Sequence, residues 1–200
     1  RVLDIGSGMG RIAVPLTRFL GENGSYEGFD VIKRGVDWCQ RNISARYPNF
    51  RFRYVPLNND LYRDDGEKAE QFTFPYENDA FDLCVVNSVF THMLPGEVAH
   101  YCSEIRRVLK PGGLCFATFF LFDEKTDFPK GFDFPVDNGH YRLMDGQVKG
   151  ANVAYDDGFF RRELVEKNGL ALRHLFYGWW RGLPPQECKE FQDIAILEKR

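Results

Sequence analysis

Close to the start of the chain, three glycines alternate with other residues just after an acidic side chain. The segment Asp4-Ile5-Gly6-Ser7-Gly8-Met9-Gly10 follows a short apolar run and precedes a stretch with helical spacing. Glycine adopts positive φ and allows a ligand to approach the backbone, and a helix N-terminus offers free N–H groups. A tight turn alone does not need three alternating glycines, so we interpret the segment as a ligand-binding loop.

A second acidic side chain, Asp30, lies 20 residues after Gly10, at the end of the next apolar run. At such a position a carboxylate can accept bonds from both ribose hydroxyls of a nucleotide. It can also cap the helix that follows, and the two roles are compatible. The pattern therefore predicts a ligand that contains a nucleoside.

The glycine spacing disfavours two common nucleotide sites. In the dinucleotide pattern G-x-G-x-x-G, the third glycine would fall at Arg11 when counted from Gly6, and at Ala13 when counted from Gly8. Alanine is tolerated there, so NAD is disfavoured rather than excluded. No G-x-x-x-x-G-K-[ST] segment occurs, which argues against a nucleoside triphosphatase.

Alternating strands and helices must position these residues. Apolar runs predict strands at Val2–Ile5, Tyr26–Phe29, Phe81–Phe90 and Leu114–Phe122, and the continuous run at Phe81–Phe90 is typical of a strand buried on both faces. Alternating aromatic and basic residues predict a further strand at Phe50–Val55. Helical spacing predicts helices at Arg11–Leu20, Lys33–Tyr47, Gly96–Leu109 and Asp157–Asn168. Two last strands, Leu170–Trp180 and Phe191–Leu197, have a short connection that suits antiparallel neighbours. The alternation predicts a doubly wound α/β fold with ligands at the carboxyl ends of its strands.

Two stretches interrupt this alternation. Asn58–Asn78 is polar and turn-rich, and we interpret it as an irregular excursion. Residues 123–154 are rich in Gly, Pro, Asp and Phe, and we interpret them as an insertion within one domain of residues 1–200. Aromatic side chains in or next to this insertion either cover a ligand pocket or form a satellite hydrophobic cluster. They are Phe128, Phe132, Phe134, Tyr141 and Tyr155.

Composition narrows the function classes. A net charge of −3 lacks the basic excess of dedicated nucleic-acid binders, so we expect no nucleic-acid partner. The five cysteines are widely spaced without a C-x-x-C pair, which disfavours disulfides and zinc and predicts a cytoplasmic location. No apolar run reaches membrane-spanning length, so we expect no membrane partner. The chain starts within a strand pattern at Arg1, and we expect further residues upstream in the natural protein.

Three segments resemble one family in order and spacing. Val2–Gly10 resembles motif I of the class I S-adenosylmethionine (SAM)-dependent methyltransferases. Phe81–Phe90 is similar to their fourth-strand motif, and Glu104–Leu114 to their signature of a helix followed by the fifth strand. The segment Ser88-Val89-Phe90-Thr91-His92-Met93 is similar to the small-molecule subgroup of types 11 and 12. The resemblance implies a Rossmann-like seven-stranded sheet, mostly parallel with a C-terminal antiparallel strand, and SAM as the cofactor.

The resemblance also implies roles at matching positions. The methionine part of SAM would lie against Asp4 and the loop glycines, and Asp30 would bind the ribose. Where the family often has an acidic side chain for the adenine edge, this chain has Pro56, so the Leu57 backbone or Asn58 would substitute. The full set of implied cofactor-binding residues is Asp4, Gly6, Ser7, Gly8, Gly10, Asp30, Val31, Leu57, Asn58, Asn87 and Ser88.

Methyl transfer from a sulfonium mainly needs the reactants to be aligned, and some acceptors also need a base. His92 follows the predicted fourth strand and is the leading candidate for that base, although a loop histidine can also bond to backbone. His140 and Tyr141 are weaker candidates, and we expect His100 and His174 to be structural. We expect metal-independent O- or N-methylation of a small-molecule or glycan-type acceptor, with residues 123–154 as a lid over the acceptor site.

Two other functions stay open on the residues alone. An NAD-dependent oxidoreductase would need the dinucleotide pattern and a catalytic pair such as Y-x-x-x-K, and we find no convincing example of that motif. A non-catalytic binding module with this fold would keep the frame and lose the chemistry, but the glycine loop looks intact.

Overall fold

The apolar runs of the sequence form one central sheet in the computed structural model, which describes residues 1–58 and 66–200. The strands along the chain are β1 Val2–Ile5, β2 Tyr26–Asp30, β3 Phe50–Tyr54, β4 Phe81–Val86, β5 Leu109–Phe119, β6 Leu121–Phe122, β7 Val136–Asp137, β8 Tyr141–Leu143, β9 Val153–Asp156, β10 Leu170–Phe176 and β11 Asp193–Lys199. The α-helices are α1 Ala13–Leu16, α2 Lys33–Cys39, α3 Pro95–Val108 and α4 Asp157–Phe159.

The central sheet has seven strands in the order β3-β2-β1-β4-β5-β11-β10. The first five are parallel to their neighbours, while β11 is antiparallel to both β5 and β10. The predicted fold, a mostly parallel Rossmann-like sheet with a C-terminal antiparallel strand, is confirmed. Ile5 pairs with Phe29 on one side and with Val86 on the other, so β1, β2 and β4 end next to one another.

Both faces of the sheet are buried because consecutive strand residues point to opposite sides. On one face, Val2 packs in a cluster with Ala13 of α1 and Val36 of α2. On the other face, Leu3 packs in a larger cluster that includes Ile105 of α3. The buried side chains of α3 recur at helical spacing, and they are Val98, Tyr101, Cys102, Ile105 and Val108.

Several predicted boundaries were wrong for local reasons. The helix predicted at Arg11–Leu20 is regular only over Ala13–Leu16, because Pro15 has no N–H to donate and the flanking residues form turns. The strand predicted to reach Phe90 ends at Val86, and Phe90–His92 forms a 3₁₀ turn. Within the excursion predicted at Asn58–Asn78, residues 59–65 lie outside the described residues, and Ala69–Gln71 forms a 3₁₀ turn.

Two helices continue beyond their regular part, and β5 starts earlier than predicted. After α2, Gln40–Ser44 has π-helical hydrogen bonds, and after α4 the chain continues through Phe160–Val165 and Glu166–Asn168. Strand β5 starts at Leu109 and includes residues 110–113, which were predicted to reverse the chain. These residues instead shift the register between β5 and β4, since Leu109 pairs with Phe81 and Leu114 pairs with Leu83.

Residues 123–154 contain regular structure of their own. A second sheet has the order β6-β9-β8-β7, in which β8 pairs with both β7 and β9, and β9 also pairs with β6. Phe134 lies in a separate apolar cluster with Phe120 and Trp180, and Phe128 and Phe132 pack against it. Of the two predicted alternatives, a pocket cover or a satellite hydrophobic cluster, these three phenylalanines form the satellite cluster. Tyr155 instead belongs to the main core, and Tyr141 packs against that core.

Candidate functional site

The loop after β1 is built from three glycines with positive φ. The φ angles are 77° at Gly6, 53° at Gly8 and 77° at Gly10. Residues other than glycine rarely adopt this region of backbone conformation. The N–H groups of Gly6 and Ser7 both donate to the Phe29 carbonyl, at 2.9 and 3.0 Å. The loop is thereby tied to the end of β2.

Gly8 and Gly10 serve different purposes. A Cβ at Gly8 would meet no atom within 4 Å, so the space in front of this residue is open to a ligand. A Cβ at Gly10 would lie only 2.6 Å from Ile43 Cδ1 and 3.2 Å from Cys39 Sγ. Gly10 therefore allows the helical segment after β2 to pack against the loop, whereas Gly8 leaves room in front of it.

Asp30 connects the end of β2 to this loop. Its Oδ2 accepts the Gly8 N–H at 2.7 Å, and its Oδ1 accepts the Ile32 N–H at 2.7 Å. Burial raises the pKa of Asp30, and the hydrogen bonds from Ile32 and Gly8 oppose that rise. Each carboxylate oxygen has a second lone pair, so Asp30 can hold the loop and still accept a ligand hydroxyl.

The end of β4 forms the opposite wall through a strained residue. Ser88 has a φ of 56° without being glycine, a conformation that is uncommon and is often found at functional sites. Its N–H donates to Thr118 Oγ1 of β5 at 2.8 Å, and its Oγ donates to Gln192 Oε1 at 3.1 Å. These two bonds hold the backbone turn that directs Asn87 and Ser88 to the sheet edge.

Together these segments line a single cavity, which we call the cofactor cleft. Of the predicted cofactor residues it contains Gly6, Gly8, Asp30, Val31, Leu57, Asn58, Asn87 and Ser88, and the predicted base His92 also lines it. Residues from four separate strand ends thus meet in one place, as expected for this kind of sheet.

Three predicted cofactor residues do not line the cofactor cleft. Gly10 packs against α2, as described above. Asp4 is only 1% exposed and accepts a hydrogen bond from the Tyr26 hydroxyl. Burial raises the pKa of Asp4 to about 6, the Tyr26 bond lowers it, and the nearby Asp30 charge raises it. Ser7 is buried against Gly28, and its Oγ has no hydrogen-bond partner in the part of the chain that is described.

One part of the cofactor cleft, formed by the start of α3 and the turns around it, was not predicted from the sequence. Ala69, Met93, Glu97 and Tyr101 line it there. The Glu97 carboxylate accepts the Leu94 N–H at 2.6 Å. A glutamate in the first turn of a helix is a recognisable capping signal, but such a signal does not reveal which cavity the helix start faces.

His92 is held by residues from the insertion and from β9. Its Nδ1 lies 2.8 Å from the Gly150 carbonyl oxygen, and because a carbonyl only accepts, Nδ1 must hold the proton. The other nitrogen, Nε2, is then the basic one in the neutral ring. The Tyr155 hydroxyl bonds to the Phe90 carbonyl, at 3.0 Å, and to that of Met93, which braces the turn on both sides of His92.

The other histidines lie elsewhere. His100 Nε2 bonds to the Phe72 carbonyl at 2.9 Å, and His174 lies exposed on β10. His140 stacks on Phe159 with ring centroids 4.2 Å apart, and neither His140 nor Tyr141 lines the cofactor cleft. His92 is thus the histidine that the fold brings to the cleft.

Within residues 1–58 and 66–200, no helix is both long enough and apolar enough to cross a membrane. In the same ranges no three His, Cys, Asp or Glu side chains come together as metal ligands. Metal-independent transfer stays a prediction.

Curated relatives of the chain are named methyltransferases. The arsenite methyltransferase of Mus musculus is 24% identical over 157 residues, which are 78% of this chain and 38% of that protein. The probable cobalt-precorrin-6B C(15)-methyltransferase (decarboxylating) of Thermoplasma acidophilum is 36% identical over 76 residues, 37% of this chain and 36% of that protein. The chain therefore spans well under half the length of these two relatives.

Solved structures share the fold. The 1,6-didemethyltoxoflavin-N1-methyltransferase of Burkholderia thailandensis, solved with its substrate and S-adenosylhomocysteine, matches with a TM-score of 0.65 at 16% identity, over 99% of this chain and 70% of that one. The family profile described as methyltransferase domain matches residues 2–113, which is more than half of the chain. This match, on the segment that builds the glycine loop, strands β1 to β4 and the start of β5, shows that the chain belongs to the class I SAM-dependent methyltransferase family.

Proposed function

We propose that this chain transfers a methyl group from SAM to an oxygen or nitrogen of a small-molecule or glycan-type acceptor. The observation that carries the proposal is that Gly8, Asp30 and His92 all line the cofactor cleft. An open loop, a carboxylate and a candidate base therefore share one cavity at the edge of the sheet.

The residues of the cofactor cleft fit SAM chemically. The space in front of Gly8 is open, and the Asp30 carboxylate suits the hydroxyls of a ribose. Val31 and Ile32 offer apolar surface to a base, while Arg11 at the rim offers a cation to the methionine carboxylate. Asp4, Ser7 and Gly10 do not line the cofactor cleft, so we propose that their part in cofactor binding is indirect.

When bound, SAM would supply a methyl group whose bond to sulfur breaks as the bond to the acceptor forms. The electron pair of the broken bond stays on the sulfur. The chain's own contribution is to orient the acceptor and to receive the proton released from its hydroxyl or amine. We propose His92 Nε2 as the proton acceptor, since the Gly150 carbonyl holds the ring with its proton on Nδ1. A base positioned in this way contributes roughly 10²–10⁴-fold to the rate.

The acceptor class is inferred from the relatives and from the cleft. The Burkholderia enzyme is named for a small heterocyclic acceptor, which supports a small molecule here. The mouse relative is named for arsenite, a compound that binds thiols. None of the five cysteines of this chain lines the cofactor cleft. Four cysteines are buried and the fifth, Cys188, lies near the C-terminal strands. We therefore favour an organic hydroxyl or amine.

We also propose that residues 123–154 cover the acceptor site within one domain of residues 1–200. Gly150 contacts His92, which supports a position of this insertion next to the reacting groups. The insertion is held by its own sheet and aromatic cluster. The insertion would therefore contact an acceptor as a folded unit and not as an irregular loop.

Calorimetry with SAM, S-adenosylhomocysteine and NAD tests the cofactor assignment, and a SAM-turnover screen over hydroxyl- and amine-bearing compounds tests the acceptor class. We expect binding of both sulfur compounds, no binding of NAD, and turnover with a small organic acceptor. Binding of NAD alone would indicate an oxidoreductase, and binding of none of the three would indicate a non-catalytic module.

A further inference from the structure

A polar cavity, here called the side cavity, opens directly beside the cofactor cleft. The two share the lining residues Asn58, Ala69, His92 and Glu97. The rest of the lining of the side cavity consists of Lys68, Glu70 and Leu94, together with Lys149 and Gly150 of the insertion. His92 therefore stands at the boundary between the cofactor cleft and the side cavity, where an acceptor has to lie if His92 takes its proton.

Two lysines from distant parts of the chain line this side cavity. Lys68 precedes the 3₁₀ turn at Ala69–Gln71, and Lys149 directly precedes Gly150, whose carbonyl binds His92. Both side chains are exposed. Among residues 1–58 and 66–200, neither ammonium group has an ion pair or a side-chain hydrogen bond. Both positive charges are therefore available to a ligand.

The two glutamates of the side cavity both lie at the start of α3. Glu97 accepts the Leu94 N–H at 2.6 Å. Glu70 Oε1 occupies the space that a Cβ on Gly96 would need, so it lies against the first turn of the same helix. The positive end of the helix dipole stabilises carboxylates there. The described lining thus offers two ammonium groups to an anion, while its two carboxylates lie at the start of α3.

We propose that the side cavity binds an anionic group of the methyl acceptor, a phosphate or a carboxylate, between Lys68 and Lys149. The inference rests on the proposed function, because it takes the cavity next to His92 as the place of the acceptor. Held in this way, the anion directs the rest of the acceptor toward His92 and the cofactor cleft. The substrate class is then a small hydroxyl or amine compound with an acidic group.

The test uses inorganic phosphate and, separately, acetate as probes. Each anion is titrated into the protein while the backbone NMR signals of Ala69 and Gly150 are followed. We expect saturable shifts, and binding about tenfold weaker in the variant with both Lys68→Met and Lys149→Met, because its two cationic partners are gone. Lys125→Met removes an exposed lysine of the same insertion that does not line the side cavity, and this control should bind like the wild type.

The outcome separates the two anion sources and the two proposals. Tighter binding of phosphate indicates a phosphate ester, and tighter binding of acetate a carboxylate. Absence of shifts with both anions, or wild-type affinity in the double variant, overturns the inference. Titrations with and without S-adenosylhomocysteine, together with calorimetry of that compound on every variant, report failure of cofactor binding independently of failure of anion binding.

Discussion

The two aspartates near the glycine loop differ in role because they have different partners. Asp30 accepts two backbone N–H groups and lines the cofactor cleft. Asp4 accepts the Tyr26 hydroxyl beneath the loop and is almost completely buried. The first carboxylate can therefore contact a ligand while it holds the loop, and the second one joins β1 to β2 through the Tyr26 hydroxyl.

Replacing Asp30 by alanine is expected to weaken S-adenosylhomocysteine binding roughly thirtyfold, about 2 kcal/mol, because charged hydrogen bonds to ligand and loop are lost together. Calorimetry measures the effect. Asp37→Ala, on α2 and paired with Lys33, is the matched control and should bind like the wild type. Equal affinities for the two variants would contradict a cofactor role for Asp30.

His92 can be tested with its anchor kept in place. In His92→Asn, the amide nitrogen can still donate to the Gly150 carbonyl, but the second ring nitrogen is missing. We expect kcat to fall about 100-fold, as for loss of a general base, with S-adenosylhomocysteine affinity unchanged. Turnover of an acceptor found in the screen gives the readout. Wild-type kcat in this variant would show that His92 only bonds to backbone.

At the scale of elements, the 3₁₀ turn at Phe90–His92 depends on a strand that is far away in sequence. Tyr155 on β9 bonds to the carbonyls on both sides of His92. The same β9 belongs to the second sheet, with β6, β7 and β8. The second sheet therefore contributes to the position of the candidate base as well as to the wall of the side cavity.

Tyr155→Phe removes this brace without changing the shape of the ring. We expect a loss of about 1–2 kcal/mol in the free energy of unfolding, since buried carbonyls lose their donor, and a fall in kcat larger than any change in S-adenosylhomocysteine affinity. Urea unfolding and turnover measure the two effects. Tyr141→Phe, on the neighbouring β8, is the control, and an equal effect there would rule out a specific brace.

At the scale of the whole molecule, buried carboxylates connect the parts of the fold. Asp193, at the start of β11, accepts bonds from the backbone N–H groups of Leu121 and Gly178, and from Trp180 Nε1, at 2.6–2.9 Å. It joins the central sheet to the aromatic cluster of the insertion. Burial raises the pKa of Asp193 to about 7 and that of Asp4 to about 6.

These raised pKa values predict a stability that falls as pH rises. For Asp4 the folded chain holds the proton more tightly than the unfolded chain, where the pKa is 3.8. Its contribution is complete below pH about 4 and is lost as pH rises through about 6. Between pH 5 and 7, the free energy of unfolding should fall about 1 kcal/mol more in the wild type than in Asp4→Asn.

Urea unfolding at several pH values measures this difference, and Asp37→Asn, at a half-buried position on α2, serves as the control. The asparagine at position 4 still accepts the Tyr26 hydroxyl, so the variant is expected to fold. The same pH slope in wild type and Asp4→Asn would mean that Asp4 titrates normally in the folded chain.

Four features could be predicted from the amino-acid pattern alone: the glycine loop, Asp30, the order of strands and helices, and the family. These features depend on local physics: glycine where φ is positive, apolar runs for buried strands, and helical spacing for α3. The cluster of residues at the carboxyl edge also followed from the parallel alternation, because such strands end on one side of the sheet. Local signals failed where a helix contained Pro15 and where Ser88 ended β4 early.

Only the tertiary structure decided which side chains face the cofactor cleft and which lie beneath it. Asp4, Ser7 and Gly10 belong to the loop motif but pack below it, while Ala69, Glu97 and Tyr101 line the cleft without a motif. The decisive contacts join residues far apart in sequence, such as His92 with Gly150 and Ser88 with Gln192. Such pairings depend on how the two sheets pack, and no periodicity within one segment encodes them.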